Sequence, residues 1–423
     1  MPLGDSVSSA PLAGVTVVAL EQAVSAPMCS RTLADFGARV IKVESPTGGD
    51  LARSLDAVVN GLAAHFVWVN RGKESVTLDL KTPQGMHILH RLLEAADVFV
   101  SNLAPGATDR LGIGSERLAA RFPDLITVEI DGYGSGGPLS EKRAYDLLVQ
   151  AESGTCAVTG HEGAPAKPGP AVADVTTGLY AALSVMGMLF GRERRRTHGR
   201  GGAAVSVSLF DTMMEVLGYQ LNYTRHTGVD QQPLGMSSPA VAPYGAYLTA
   251  DGHTVIMGTT HDLEWQRLAR NVIERPDLAD DQRFATNAQR AEHRAELDEV
   301  IAEWCGRHDL THIQRAADAA GIGNSRYNRI SEVIAHPHLE ARDRWRVIDT
   351  PAGPVPALLP PPVVDGFAPP MGPVPALGEH TEAVLTELGI GGDEMEQLRA
   401  LGVIGATELG ELATGSATHI SQS

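Results

Sequence analysis

Two hydrophobic rhythms alternate through the first half of the chain. Near the start VTVVAL is a β-rich run, residues 27–36 have helical spacing, and ARVIKVE is a second apolar run, with Gly37 placed to end the helix between them. The alternation returns as SVTLDL, a helical pattern around GMHILHRLLEAA, DVFVSN, a further helix, LITVEI and, at residues 203–210, AAVSVSLF. Strand-like runs joined by helices through short connections predict a parallel sheet covered by helices, hence an α/β fold. A different pattern follows. The helical DTMMEVLGYQLNYT leads into a loop holding GMSSP (residues 235–239), then short strands near 244–249 and 254–258, then a charged helical stretch over 263–319. These form a smaller α+β domain. Ten of the 26 prolines crowd into residues 351–375, which predicts an extended surface segment without sheet or helix. A last helix, EAVLTELG, needs an apolar partner and is expected to return to the first domain. The boundaries are 11–224 for the large domain, 225–330 for the small one and 331–410 for the returning segment. Residues 1–10 and 411–423, small, polar and aperiodic, are expected to be disordered tails.

Composition narrows the functional classes. Lys and Arg total 34 against 51 Asp and Glu, a net charge of −17. A surface so acidic repels a phosphate backbone, which argues against nucleic acid as a partner. Cys29, Cys156 and Cys305 lie more than a hundred residues apart. They build neither a disulfide framework nor a cysteine zinc site and fit a reducing compartment. MPLGDSVSSA has neither the basic nor the apolar region of a secretory signal, and no window approaches eighteen uninterrupted apolar residues. The expectation is a cytoplasmic enzyme with no membrane span.

Most local motifs fail on inspection. GYGSGG (132–137) formally matches the glycine fingerprint of nicotinamide-dependent oxidoreductases, but the PLSEKR after it lacks an apolar helical stripe, and a plain glycine turn fits better. Val67 stands where a phosphate loop ending in Gly72 and Lys73 needs its first glycine, and Tyr133 where a nucleophile elbow around Ser135 needs its own. His336 and His338 flank Pro337 with no third ligand nearby, so no metal is expected. RERRRTHGRG (192–201) has the charge to touch phosphate and reads as a solvated loop. Asp174 stands out: it precedes an apolar helical stretch containing Leu179, Leu183, Met186 and Phe190. It fits an N-cap that accepts from the free N–H groups of the first turn, and it fits a carboxylate kept ionised by the helix dipole for use as a nucleophile. Spacing leaves both readings open.

LADFGARVIKVESPTGGDLAR (33–53), NRGKESVTLDLKTPQG (70–85), DVFVSNLAPGATDRLGIG (97–114), GYGSGGPLSEKRAYDLLVQAESG (132–154) and ADVTTGLYAAL (173–183) resemble, in order, segments of the class III CoA-transferases. AHPHLEARDRW and PALGEHTEAVLTELG extend the likeness. That family includes formyl-CoA transferase, carnitine CoA-transferase and, as a divergent branch, α-methylacyl-CoA racemase. The resemblance implies a Rossmann-like large domain formed by both chain ends, an inserted smaller domain, and an interlocked homodimer.

It also implies the chemistry. Asp174 would be the nucleophile, carrying first the acyl group and then coenzyme A between an acyl-CoA donor and a free carboxylic acid. The coenzyme A thioester is substrate, and no tightly bound cofactor is implied. Lys73, Lys81, Asn102, Arg110 and Arg143 are the implied CoA-binding residues. GMSSP would stand where the family places a glycine-rich flap, with fewer glycines than in formyl-CoA transferase, which implies another acceptor. Tyr145, Gln150 and Glu152 are candidates to shape the pocket. The racemase branch uses a His–Asp pair, whereas here Tyr145 precedes Asp146, and tyrosine is a poor base at neutral pH. ARDRWRVIDTPAGPVPALLPPP and SSPAVAPYGAYLTADG are similar to relatives handling four- and five-carbon dicarboxylates, for which Arg225 or Arg326 would supply a second cation. An acyl-CoA racemase, a nicotinamide oxidoreductase and a catalytically silent CoA-binding protein stay open as alternatives.

Overall fold

The computed structural model describes residues 10–194 and 201–405. The expected tails, save residue 10, and most of the basic run at 192–201 lie outside the described residues. The chain divides into two compact units, one of Met1–Ser153, Pro168–Gly218 and Asp343–Ser423, the other of Gly154–Lys167 and Tyr219–Arg342. The second unit is wider than the expected 225–330. It also takes in an excursion at 154–167 that no change of rhythm announces.

Six parallel strands form the sheet of the first unit: β1 (Thr16–Leu20), β2 (Arg39–Glu44), β3 (Lys73–Thr77), β4 (Val98–Ser101), β5 (Ile126–Asp131) and β6 (Ala203–Ser208). Their order is β3-β2-β1-β4-β5-β6, the doubly wound arrangement of a Rossmann-like sheet. β1 shows why both faces are covered. Val17 and Ala19 enter one core, Val18 and Leu20 the other. Side chains alternate with period two, so a strand apolar from Val17 to Leu20 leaves no face for water there. Cys29 and Leu33 of α1 (Ser25–Asp35) fill the first core, and Ile88, Leu89, Leu92 and Leu93 of α2 (Pro83–Ala95) fill the second. Gly37 ends α1 as expected, at φ +94°, its N–H donating to the Ala34 carbonyl at 2.8 Å.

Two later helices matter for the site, α3 (Asp146–Glu152) and the 23-residue α4 (Val172–Arg194). α4 lies close against α1 because its inner face is small: Ala173, Thr177, Gly178, Ala181 and Ala182 are buried. A Cβ on Gly178 would lie 2.4 Å from the Ser25 carbonyl oxygen and 2.8 Å from Met28 Cβ, so only glycine permits the contact. Length and composition alone would let α4 cross a bilayer, contrary to the sequence expectation, but this inner face belongs to the core.

The chain returns to the second core through α5 (Thr381–Glu387), as expected, and through α6 (Gly392–Ala400), whose buried pair Met395 and Leu398 is too thin a stripe to read. Along edge strand β3, Thr77 N–H donates to Thr381 Oγ1 at 3.0 Å and Ser75 Oγ accepts from Gly378 N–H at 2.9 Å. The proline-rich segment needs a correction. Val355–Leu358 pairs with Trp345–Ile348 as a hairpin, with Pro356 opposite Val347. A two-stranded ribbon has only edges, where the missing N–H of proline costs no ladder bond.

In the second unit, Tyr244–Leu248, Thr254–Gly258 and Gly323–Arg326 form an antiparallel sheet with Thr254–Gly258 in the centre. The third strand, GNSR, has no apolar residue and so gave no signal. Trp265 and Phe284 pack edge-on at 6.0 Å. The buried Arg290 guanidinium donates to Ala242 O at 2.8 Å, Phe284 O at 3.0 Å and Asp262 Oδ1 at 2.7 Å.

The α1–α4 contact yields a prediction. Gly178→Ala must separate the two helices and is expected to cost about 1–3 kcal/mol in urea unfolding. An unchanged midpoint would show that the helices are not held this closely.

Candidate active site

β1 and β4 are neighbours, but the chain leaves β1 towards β2 and leaves β4 towards β5, on opposite sides. Such a divergence opens a crevice outside the carboxyl ends of the strands. Here it encloses about 250 Å³, lined by Leu20, Gln22, Val43, Leu78, Lys81 and Leu103 among others.

α4 precedes β6, so its first turn lies at the carboxyl end of the parallel sheet. Asp174 is the third residue of α4, inside the first turn, which corrects the N-cap reading. Gly178 follows one turn later on the same face and rests against Ser25, the first residue of α1. The β1–α1 turn, which supplies Gln22 to the crevice, is therefore next to the head of α4.

Another carboxylate takes the free N–H groups of that first turn. Asp146 Oδ1, at the start of α3, accepts from Ala173 N–H at 3.0 Å and more weakly from Asp174 N–H at 3.5 Å. Its Oδ2 accepts from Gln150 Nε2 at 2.7 Å. A helix N-terminus favours a negative charge, while burial and a like charge oppose it. The opposition wins at Asp174. Burial first, and the Asp146 charge second, push its pKa up to about 7. Once ionised, such a carboxylate is more basic than one on the surface, and so a better nucleophile.

The implied CoA-binding residues separate into two groups. Lys73 is buried, and its three ammonium hydrogens are engaged by Glu21 Oε1 at 2.7 Å, Pro27 O at 3.0 Å and Asn70 Oδ1 at 3.0 Å. Burial holds its pKa down at about 8. Asn102 is half-buried, its amide held by the Gln22 backbone and Ser25 Oγ. Lys81, Arg110 and Arg143 are exposed, and Lys81 lines the crevice.

Other candidates are placed as follows. Tyr145 is exposed, Glu152 is paired with Lys142 at 2.9 Å, and Gln150 is buried and orients Asp146. No helix opens at GYGSGG: Gly134 N–H turns back to Asp131 Oδ1, and the next helix is α3, so a pyrophosphate would find no helix N-terminus there. His336 Nδ1 accepts from His338 N–H at the head of a short helix. In the second unit, Gly235 of the GMSSP loop sits at φ +63° against the His161 ring, and Arg294 donates to Ser237 Oγ, Ser238 O and Val241 O. Arg326 is paired with Glu332, and Arg225 is exposed. Sequence reasoning missed the roles of Asp146 and Gln22. The tripeptide Tyr145-Asp146-Leu147 heads a helix, but nothing in it says which other helix the carboxylate caps.

Comparison with known proteins shows the family. The family model described as CoA-transferase family III matches residues 12–381. The chain is 33% identical over 405 residues to a succinyl-CoA–D-citramalate CoA-transferase of Chloroflexus aurantiacus, covering 93% of this chain and 98% of that one. It is 35% identical over 394 residues to a succinate–glutarate CoA-transferase of Agrobacterium fabrum, covering 89% and 96%. A CAIB/BAIF family crystal structure from Brucella suis superposes with a TM-score of 0.76 at 33% identity, covering 89% of this chain and 99% of that one. With a parallel doubly wound sheet, an acidic residue at the head of α4 and a family match along most of its length, the chain belongs to CoA-transferase family III.

Proposed function

We propose that this CoA-transferase moves coenzyme A from an acyl-CoA thioester to a free four- or five-carbon dicarboxylic acid, with Asp174 carrying the acyl group and then coenzyme A. The observation behind this reading is the half-buried Asp174 carboxyl, its pKa raised to about 7, at the head of α4 next to the β1–α1 turn that lines the crevice. The dicarboxylate class is supported by the named activities of the Chloroflexus and Agrobacterium relatives.

Ionised Asp174 attacks the donor carbonyl carbon, the C–S bond breaks, and coenzyme A leaves as thiolate with a mixed anhydride left on the enzyme. The thiolate attacks the Asp174 carbonyl carbon, the anhydride C–O bond breaks, and the donor acid departs. The acceptor carboxylate then attacks the aspartyl thioester and expels thiolate, which attacks the acceptor carbonyl and frees Asp174. One activated acyl bond is exchanged for another throughout, so no ATP is needed. Asp146 suits this cycle. Its charge repels ionised Asp174 but not the neutral anhydride or thioester, so acylation relieves the repulsion. Lys81, Arg110 and Arg143 are the exposed cations offered to the phosphates of coenzyme A.

We also infer a homodimer. The outer face of α4 exposes Leu179, Leu183 and Phe190, the last two at 60% and 64%, and Gly218–Thr227 is a helix that buries none of its residues. Exposed apolar surface of this extent suits an interface with a second copy. The buried free thiols of Cys29 and Cys305 fit the reducing cytoplasm.

Incubation with succinyl-CoA followed by hydroxylamine should leave a hydroxamate on Asp174 in peptide mass spectra, and Asp174→Ala should lower transfer by about a thousandfold or more; modification elsewhere, with transfer intact in the variant, sinks the proposal.

The raised pKa has two signs to check. For activity, kcat/KM should climb about tenfold per pH unit up to an inflection near pH 7, and Asp146→Asn should move that inflection down. For stability, native Asp174 keeps a proton that the unfolded chain releases, so relative to Asp174→Asn the wild type should lose stability as pH rises from about 4 to about 7. Parallel thermal melts of the two proteins across that window read the difference.

Finally, the wild type should run as a dimer in sedimentation velocity. A monomeric wild type would remove the dimer reading.

A further inference from the structure

The turn from β1 into α1 passes through a left-handed alanine. Ala23 has φ +63°, a region that residues with a Cβ rarely enter unless their surroundings hold them there. The restraints come from the segments that follow two other strands. Gln22 N–H donates to Asn102 Oδ1 at 2.9 Å, and Gln22 O accepts from Asn102 Nδ2 at 2.8 Å. On the other side, Ala23 N–H donates to Asp50 Oδ1 at 3.0 Å.

Asp50 is itself oriented from within the protein. Its Oδ2 accepts from Lys42 Nζ at 2.8 Å, and its Oδ1 accepts from Ala52 N–H at 2.9 Å. Lys42 Nζ also lies 3.3 Å from Glu21 Oε1, which accepts from Lys73 Nζ at 2.7 Å, while Ser30 Oγ donates to Glu21 Oε2 at 2.6 Å. Glu21 and Asp50 balance Lys42 and Lys73, and Glu21, Lys42, Asp50 and Lys73 are all fully enclosed. A buried set of paired charges stabilises a fold no better than apolar packing would, but it defines one geometry. The geometry defined here is that of the turn presenting Gln22 to the crevice.

We propose that Asp50 and Lys42 are positioning residues that hold the Gln22–Ala23 turn in its left-handed form before substrate arrives. The thioester then meets a finished crevice wall and does not have to order it on binding. This rests on the reading of the crevice as the coenzyme A site.

The test compares wild type, Asp50→Asn, and Asp50→Asn combined with Ala23→Gly, with coenzyme A in titration calorimetry and succinyl-CoA in steady-state and single-turnover assays. Asp50→Asn should weaken coenzyme A binding and raise KM for succinyl-CoA by about tenfold, with the saturated acylation rate changed less than about threefold. Adding Ala23→Gly should restore at least about threefold of the lost affinity, because glycine enters the left-handed region without strain. A purely structural role for Asp50 gives no such rescue. Unchanged affinity in Asp50→Asn, or a loss that Ala23→Gly leaves untouched, overturns the proposal while the crevice reading stands. A wild type that does not bind coenzyme A overturns both. Hydrogen exchange on the wild type decides the matter without any variant: the Gln22–Ala23 amides should be protected in the free enzyme and change less than about threefold with coenzyme A. Protection that appears only with coenzyme A contradicts a preformed turn.

Discussion

Two carboxylates compete for the head of one helix. The first turn of α4 offers the N–H groups that ordinarily steady an anion, and Asp146, reaching in from α3, accepts them. Asp174 sits within the same turn, partly buried and facing a like charge. Its ionised form is therefore costly, and a costly anion is the one that gains most by becoming a neutral ester-like intermediate. The chemistry proposed for this protein depends on that imbalance, which a lone N-capping aspartate would not create.

The rest of the first unit sets the head of α4 beside the β1–α1 turn, which lines the crevice. A parallel sheet gathers the carboxyl ends of its strands on one side, and the divergence at β1 and β4 opens the crevice there. Gly178 removes the side chain that would keep α4 away from α1, so the Asp174 carboxyl and the β1–α1 turn share one neighbourhood. Beneath that turn lies the enclosed set of Glu21, Lys42, Asp50 and Lys73. Charge buried so completely contributes little net stability, and the role proposed for it is to fix the arrangement of the turn above it.

Much of the fold was legible because its signals are local. β1, β2, β4, β5 and β6 fall on β-rich runs, β3 begins two residues ahead of the expected SVTLDL, Gly37 ends α1 where a left-handed glycine was needed, and the strands at 244–248 and 254–258 lie where short strands were expected. The elements that escaped are those whose reason lies elsewhere in the chain. GNSR is a strand only because Thr254–Gly258 offers an open edge, and Pro356 joins a hairpin because its partner asks for no N–H. The site shows the same division. Asp174 could be singled out by its place before an apolar helix, with its role supplied by family likeness. Lys73 and Asn102 entered as coenzyme A ligands by family likeness alone, and the structure bonds their amine and amide to groups that are distant in sequence, Glu21 and Gln22. A sequence displays the donors and withholds what they are bonded to.

The central claim is that Asp174 itself passes an oxygen between the two acids. It is tested most directly by one turnover with enzyme in excess, succinyl-CoA as donor and a dicarboxylic acceptor labelled with oxygen-18 in its carboxyl groups. If Asp174 carries the acyl and CoA groups, its carboxyl gives an unlabelled oxygen to the released succinate and takes one labelled oxygen from the acceptor, so the Asp174 peptide gains about two mass units. An unlabelled Asp174 peptide, with the heavy oxygen found directly in the released succinate, would show that the two acids exchange coenzyme A without passing through this side chain.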